Sequence, residues 1–173
     1  MFKLVFELKQ TSENVLKLRL HWGFRLVFLV LLGIVVASVF VGRAEGTSFR
    51  LVPAVLVLIF VLLGLYQEQW IFNRDTGTIS HDHGLLPISK TRMYKRETVD
   101  HIEISSFRKG EAPMSAQKGQ KKFFQKDLLR LSLVLGDAGR KDIEISEEKN
   151  KATLERRAAS IADFMNLSYH SEL

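Results

Sequence analysis

Two uncharged apolar runs, set close together, constrain this chain more than any other feature. Residues 26–42 (LVFLVLLGIVVASVFVG) and residues 51–67 (LVPAVLVLIFVLLGLYQ) each extend for 17 positions without Asp, Glu, Lys, Arg or His. A helix that crosses the roughly 30 Å hydrocarbon slab needs about 20 such residues. Trp22–Phe24 extend the first run to that length, and a snorkelling Arg50 beside an interfacial Phe49 compensates the second. Pro53 falls in the first turn of the second run, where no intrahelical N–H is lost, so it marks a helix start. Two spans are therefore expected, at about residues 24–42 and 51–67, with Trp22 at the entrance and Tyr66 and Trp70 at the exit as aromatic anchors.

Charge sets the expected orientation. Lys3, Lys9, Lys17, Arg19 and Arg25 precede the first run, only Arg43 and Arg50 lie between the runs, and many more Lys and Arg follow. By the positive-inside rule both termini lie in the cytoplasm, which gives a multi-pass protein of the bacterial cytoplasmic (inner) membrane. The first run starts too late, and lacks the small-residue cleavage site, for an ordinary signal peptide; it is expected to stay as an anchor. Gly33 and Ala37 have a small-xxx-small spacing that lets helices approach closely, within the hairpin or between copies. Neither run holds an ionisable side chain of the kind that builds proton or ion pathways.

The flanking segments read as strands. Phe2, Leu4, Phe6 and Leu8, and then Leu16, Leu18 and Leu20, recur with period two on either side of a polar turn at residues 10–14, the pattern of a β-hairpin. An amphipathic interfacial helix is the competing reading of residues 2–6. After the second run, strands are expected at 70–74 and 78–81 around Asp75-Thr76-Gly77, then near 90–96, 101–107, 127–135 and 140–146. Leu154, Ala158, Ile161 and Met165 follow helical spacing, so a helix over about 150–166 should bury that stripe on a sheet. An isolated hairpin is marginal in water, so residues 1–21 are expected to join strands encoded after the membrane. The expected partition is an N-terminal β-hairpin (1–21), a transmembrane helical hairpin (22–70) and a β domain with its closing helix (71–173). The fold class is an α+β membrane protein in which a two-helix hairpin is inserted into a small antiparallel β-barrel or sheet with a C-terminal helix.

Composition excludes several functions. The chain has no cysteine, which removes disulfides, thiolate nucleophiles and Cys-ligated metals. Its net charge of +6 is spread among 19 acidic residues, so nucleic acid is not an expected partner. The pair His81 and His83 around Asp82 offers two imidazoles on one strand face but no third ligand, and no cofactor is expected. Asp100-His101 could orient a base, yet no nucleophile motif accompanies it, so the chain is not expected to be an enzyme.

The distinctive polar stretch is residues 108–126 (RKGEAPMSAQKGQKKFFQK), with six basic residues and one acid. Near an anionic leaflet, Arg108, Lys109, Lys118, Lys121, Lys122 and Lys126 would each gain up to about 1 kcal/mol, with Phe123 and Phe124 entering the interface. The alternative is a solvated loop whose phenylalanines open the next strand. Lys90, Arg92, Lys95 and Arg96 could extend the same basic surface.

The order of these features carries a resemblance. Two N-terminal spans are followed by Trp70-x-Phe72-Asn73-Arg74-x-x-Gly77-x-Ile79, by His101-Ile102-x-Ile104, by the 129–145 hairpin and by the segment from Glu155 to Met165. Together they resemble bacterial membrane proteins with a pleckstrin-homology-like domain, and the general plan is similar to that of the photosystem I assembly factor family. The resemblance implies a bent barrel closed at one end by the C-terminal helix. It also implies a scaffold, assembly or lipid-surface role: a non-catalytic protein that presents its cytoplasmic domain to a protein partner or a second copy beside the lipid bilayer. Headgroup sensing by residues 108–126 is the alternative role.

Overall fold

The computed structural model describes residues 6–44, 51–86, 88–108, 127–136 and 139–173, with backbone alone at 42–44 and 108. It is an α+β chain. Its strands form two sheets, five-stranded and four-stranded, instead of one continuous sheet. By internal packing the chain divides into two compact units, Met1–Lys9 with Lys17–Ile71 and Ser80–Arg92, and Gln10–Leu16 with Phe72–Ile79 and Met93–Leu173.

The five-stranded sheet begins with β1 (Phe6–Ser12) and β2 (Val15–Leu20). Leu16, Leu18 and Leu20 are buried while Lys17 and Arg19 are not, so period two is realised as an inner and an outer face. The sheet order runs β1-β2-β3-β4-β5, which adds β3 (Tyr66–Asn73), β4 (Thr78–Leu85) and β5 (Ile88–Lys95). One neighbour of β2 in the sheet, β1, thus precedes both apolar helices, and the other, β3, is encoded after them. Between β3 and β4, Asn73 Oδ1 accepts from the N–H groups of Asp75 and Thr76, and Gly77 takes φ +59°. This is the turn that an Asx side chain and a positive-φ glycine favour.

The first unit carries both helices. α1 (Trp22–Ala44) starts where His21 Nδ1 accepts from the Gly23 N–H at 3.0 Å. α2 (Leu51–Leu65) passes directly into β3 at Tyr66. Phe28 meets Phe24 edge-on at 4.8 Å and Phe60 at 6.3 Å, and Leu29 lies across from Gly64. Gly33 has open space where a Cβ would be, so it is not a close-approach point of this helix pair. Elsewhere the helices leave large apolar side chains open, among them Ile34, Phe40, Leu51 and Leu58. The second helix ends at Leu65 and not at Gln67, because Tyr66 and Gln67 already belong to the sheet. Trp70, expected at the membrane exit, is 1% exposed and lies against His81; its indole is a core group.

In the second unit, β6 (Val99–Arg108) pairs antiparallel with β7 (Asp127–Leu135), and β7 with β8 (Gly139–Glu147). Ile102, Ile104, Leu131 and Leu133 are fully buried, each contributing about 1.5–3 kcal/mol by leaving water. α3 (Lys151–Met165) buries Leu154, Ala158, Ile161, Ala162 and Met165, the expected stripe plus one alanine. It ends at Asn166, whose φ of +53° closes a left-handed cap, with the Leu167 N–H donating to Ala162 O at 2.8 Å. The chain then returns as β9 (Ser168–Glu172), which pairs with β6 in parallel. That strand was not expected, and it makes the second sheet mixed in direction.

Candidate functional site

Of the six basic residues singled out, Lys109, Lys118, Lys121, Lys122 and Lys126 lie outside the described residues. Arg108 is placed by its backbone only, as the last residue of β6 opposite Asp127. The structure instead builds two polar clusters on its sheets, one in each unit.

The first follows immediately after α2. Glu68 sits on β3 between Tyr66, whose hydroxyl donates to Oε2 at 3.0 Å, and His81 Nε2, 3.3 Å from Oε1. The His81 ring is stacked between Trp70 at 4.1 Å and His83 at 4.9 Å. Alongside, Gln69 Nε2 donates to Asp82 at 2.9 Å. The hydrogen bond from His81 holds the Glu68 carboxyl below its ordinary range against the opposing effect of burial, and the Tyr66 hydroxyl and the nearby His81 and His83 rings add to it. Burial, reinforced by the neighbouring Glu68, pushes the Tyr66 phenol up to about 12. Both Glu68 oxygens are therefore engaged and the imidazoles are packed ring on ring. Among the described residues no three His, Cys, Asp or Glu side chains are placed to hold a metal ion. This cluster ties β3 to β4 where the chain leaves the helices.

The second cluster lies on the four-stranded sheet. Glu103, only 4% exposed in its side chain, binds Arg140 Nη2 at 2.6 Å through Oε2. Its other oxygen is buried and has no hydrogen-bond partner among the described residues. His101 reaches Asp100 at 3.0 Å through Nδ1 and approaches Glu103 at 3.8 Å through Nε2, and its ring meets His170 of β9 edge-on at 4.6 Å. Ser132 donates to Asp142 at 3.1 Å, and Arg130 lies over the Phe107 ring at 4.3 Å. The Asp100-His101 pair is thus present, and both imidazole nitrogens face carboxylates. Asp100, Arg140 and Asp142 are each at least two-fifths exposed, so the cluster presents both signs of charge to solvent.

Neither cluster was read from the sequence as a unit. The first had a usable signal: counting outward equally from the 74–77 turn brings Gln69 to Asp82 and Trp70 to His81. The second had none, since Glu103 and Arg140 are 37 positions apart and meet only once β7 separates their strands. No protein-family model matches the chain, and a search of curated proteins finds no match.

Proposed function

We propose that this protein is a non-catalytic integral membrane adaptor, whose apolar helix pair anchors a pleckstrin-homology-like domain that engages a protein partner. The observation that carries the reading is the exposed apolar surface of the helices. α1 is long and apolar enough to cross a bilayer, and only 6% of its most apolar stretch is buried. Its 23 residues extend about 34 Å, against a slab of roughly 30 Å. A core helix of a water-soluble protein would be covered. A cleaved leader would not have two strands before it that join the same sheet as strands after it. α2, at 15 residues, covers about 22 Å and is matched to the slab by local thinning and snorkelling. On this reading the helices form a two-span hairpin in the cytoplasmic membrane, with both termini on the cytoplasmic side.

The domain assignment is supported by a five-strand meander, three further antiparallel strands and a closing helix with its stripe buried. β9 is an addition to that plan. The surface offered to a partner is the mixed-charge cluster of Asp100, Arg140, Asp142 and His170, because exposed charge beside a rigid sheet gives specificity more readily than bulk affinity. A photo-crosslinking residue at Asp142 in the full chain, expressed in membranes, should yield one discrete adduct, and the protein should resist extraction by alkaline carbonate. Carbonate release, or no adduct under any growth condition, overturns the proposal. The second reading, headgroup sensing by Arg108, Lys109, Lys118, Lys121, Lys122 and Lys126, is favoured by the pairing of Arg108 with Asp127 on adjacent strands, since these two residues flank the remaining five basic positions in the sequence.

A further inference from the structure

We infer that the tip of the β4–β5 hairpin is a second membrane contact, a lipid-surface anchor formed by Leu86, Ile88, Lys90 and Arg92. The inference rests on the spanning reading of α1 and α2. All four residues belong to the first compact unit, together with both helices. The Leu86 N–H donates to the carbonyl oxygen of Leu65, the last residue of α2, at 3.0 Å. That bond fixes the hairpin tip at the level where α2 leaves the apolar slab.

The chemistry of the tip suits that level. Hairpin tips in water favour Gly, Asn, Asp and Ser, yet here Leu86 is 40% and Ile88 83% exposed. Gly84 holds the tip in place from β4: its φ is +147°, and a Cβ there would lie 2.6 Å from the Ile88 carbonyl oxygen. Along β5, Ile88, Lys90 and Arg92 are two residues apart, so they project from one face. At about 3.4 Å per residue, Lys90 lies about 7 Å and Arg92 about 14 Å from Ile88. The headgroup layer is roughly 5–8 Å deep on each side, within reach of Lys90 directly and of a snorkelling Arg92. β5 contains no acidic residue and is exposed along nearly its whole length, which complements an anionic leaflet. Lysines on an edge strand are commonly a guard against edge-to-edge pairing. That role accounts for the cations but not for two open apolar side chains pinned to the end of α2.

The test uses the full chain in nanodiscs of phosphatidylglycerol and phosphatidylcholine. The sequence has no cysteine, so single cysteines at Ile88, Leu58 of α2 and Ile145 of β8 each accept one environment-sensitive label. The expected result is that the Ile88 label is quenched by headgroup-level nitroxide lipids and protected from an aqueous quencher, the Leu58 label is deeper, and the Ile145 label is in water. Replacing both cations (Lys90→Gln with Arg92→Gln) should lower the ratio of lipid-contacting to water-exposed Ile88 label about thirtyfold, from about 1 kcal/mol per cation. If Ile88 behaves as Ile145 does while Leu58 stays deep, the tip inference fails and the spanning reading stands. If Leu58 is also open to the aqueous quencher, the spanning reading itself fails and the inference with it. An Ile88 label shielded from water yet untouched by lipid quenchers means that protein covers the tip, which also overturns it. An unchanged ratio in the double variant removes the anionic-lipid part.

Discussion

Replacing Arg157 by Met should loosen α3 by about 3 kcal/mol, because it strands a carboxylate beneath the helix. Arg157 Nη1 donates to both oxygens of Glu144, at 2.6 and 2.8 Å, and the two side chains are 17% and 5% exposed. Burial raises the Glu144 pKa, and the Arg157 guanidinium offsets only part of that rise. Breaking such a pair from one side costs about 3–5 kcal/mol. Proton uptake by Glu144 relieves some of this, which sets the lower end as the expected value near neutral pH. Met keeps the aliphatic contact of the arginine stem, so the loss reports charge and not packing.

The assay is hydrogen exchange of the full chain in nanodiscs, read on peptides covering α3. A 3 kcal/mol loss corresponds to about 150-fold faster exchange where local opening limits the rate. Pairing the change with Glu144→Met should recover most of the protection, since a buried ion pair is often replaceable by apolar groups of similar volume. The sign with pH follows from the raised folded-state pKa. Such a group favours folding below its unfolded value and loses that contribution as pH rises through the folded value. Without Arg157 the folded value rises further, so the deficit should widen from acidic to neutral pH after correction for intrinsic exchange. Unchanged α3 protection in R157M, or a double variant weaker than the single one, would refute the reasoning.

Other outcomes are expected from the same structure. Leu131→Ala should cost about 2–5 kcal/mol, read as lost protection in β7, because the side chain is fully buried. Gly84→Ala should loosen β4 and β5 selectively by about 1–3 kcal/mol, since the new Cβ meets backbone at a positive φ; normal exchange in both strands would contradict this. Asn166→Gly should leave α3 within about 1 kcal/mol of the parent, whereas Asn166→Val should cost about 1–2 kcal/mol or more at the left-handed cap. The lowered Glu68 pKa gives stability that is present above the ordinary carboxyl range and lost as pH falls through the folded value. Glu68→Gln should therefore flatten the acid side of a stability profile read by tryptophan fluorescence, and it should also shrink the alkaline fall, because the Glu68 carboxylate helps hold the Tyr66 phenol up. On that alkaline side, Tyr66 at about 12 makes stability fall from the ordinary phenol value of about 10 toward that figure.

What could be read from the sequence depended on how local the cause was. The 74–77 turn was legible because Asn73 and Gly77 carry its geometry within five residues, and the α3 stripe because burial repeats every turn. The alternating leucines of β7 were legible for the same reason. The end of α2 was not, because Tyr66 and Gln67 are uncharged and hydropathy alone cannot separate the last helical turn from the first residues of a strand. Trp70 suits a membrane interface by composition, and only the ring of His81 across the sheet decides otherwise. β9, Ser-Tyr-His-Ser-Glu, has no apolar alternation; it is a strand because the Asn166 cap sends the chain back along β6. Glu103 looks like an outward-facing charge until Arg140 arrives from β8. The basic residues of 109–126 were singled out by charge alone, and that segment lies outside the described residues.

The neighbour relation between β2 and β3 has a consequence in time. β2 ends at Leu20 and β3 begins at Tyr66, so 45 residues, 21 to 65, must be made after the β1–β2 hairpin before the second neighbour of β2 begins to exist. At about 5–20 residues per second this is a wait of roughly 2–9 s. For that interval the nascent hairpin holds Leu16, Leu18 and Leu20 with no sheet to cover them. Assembly therefore depends on how quickly the greasy helices leave the ribosome's path. Slowing their departure lengthens the period in which a newborn chain is prone to stick to others.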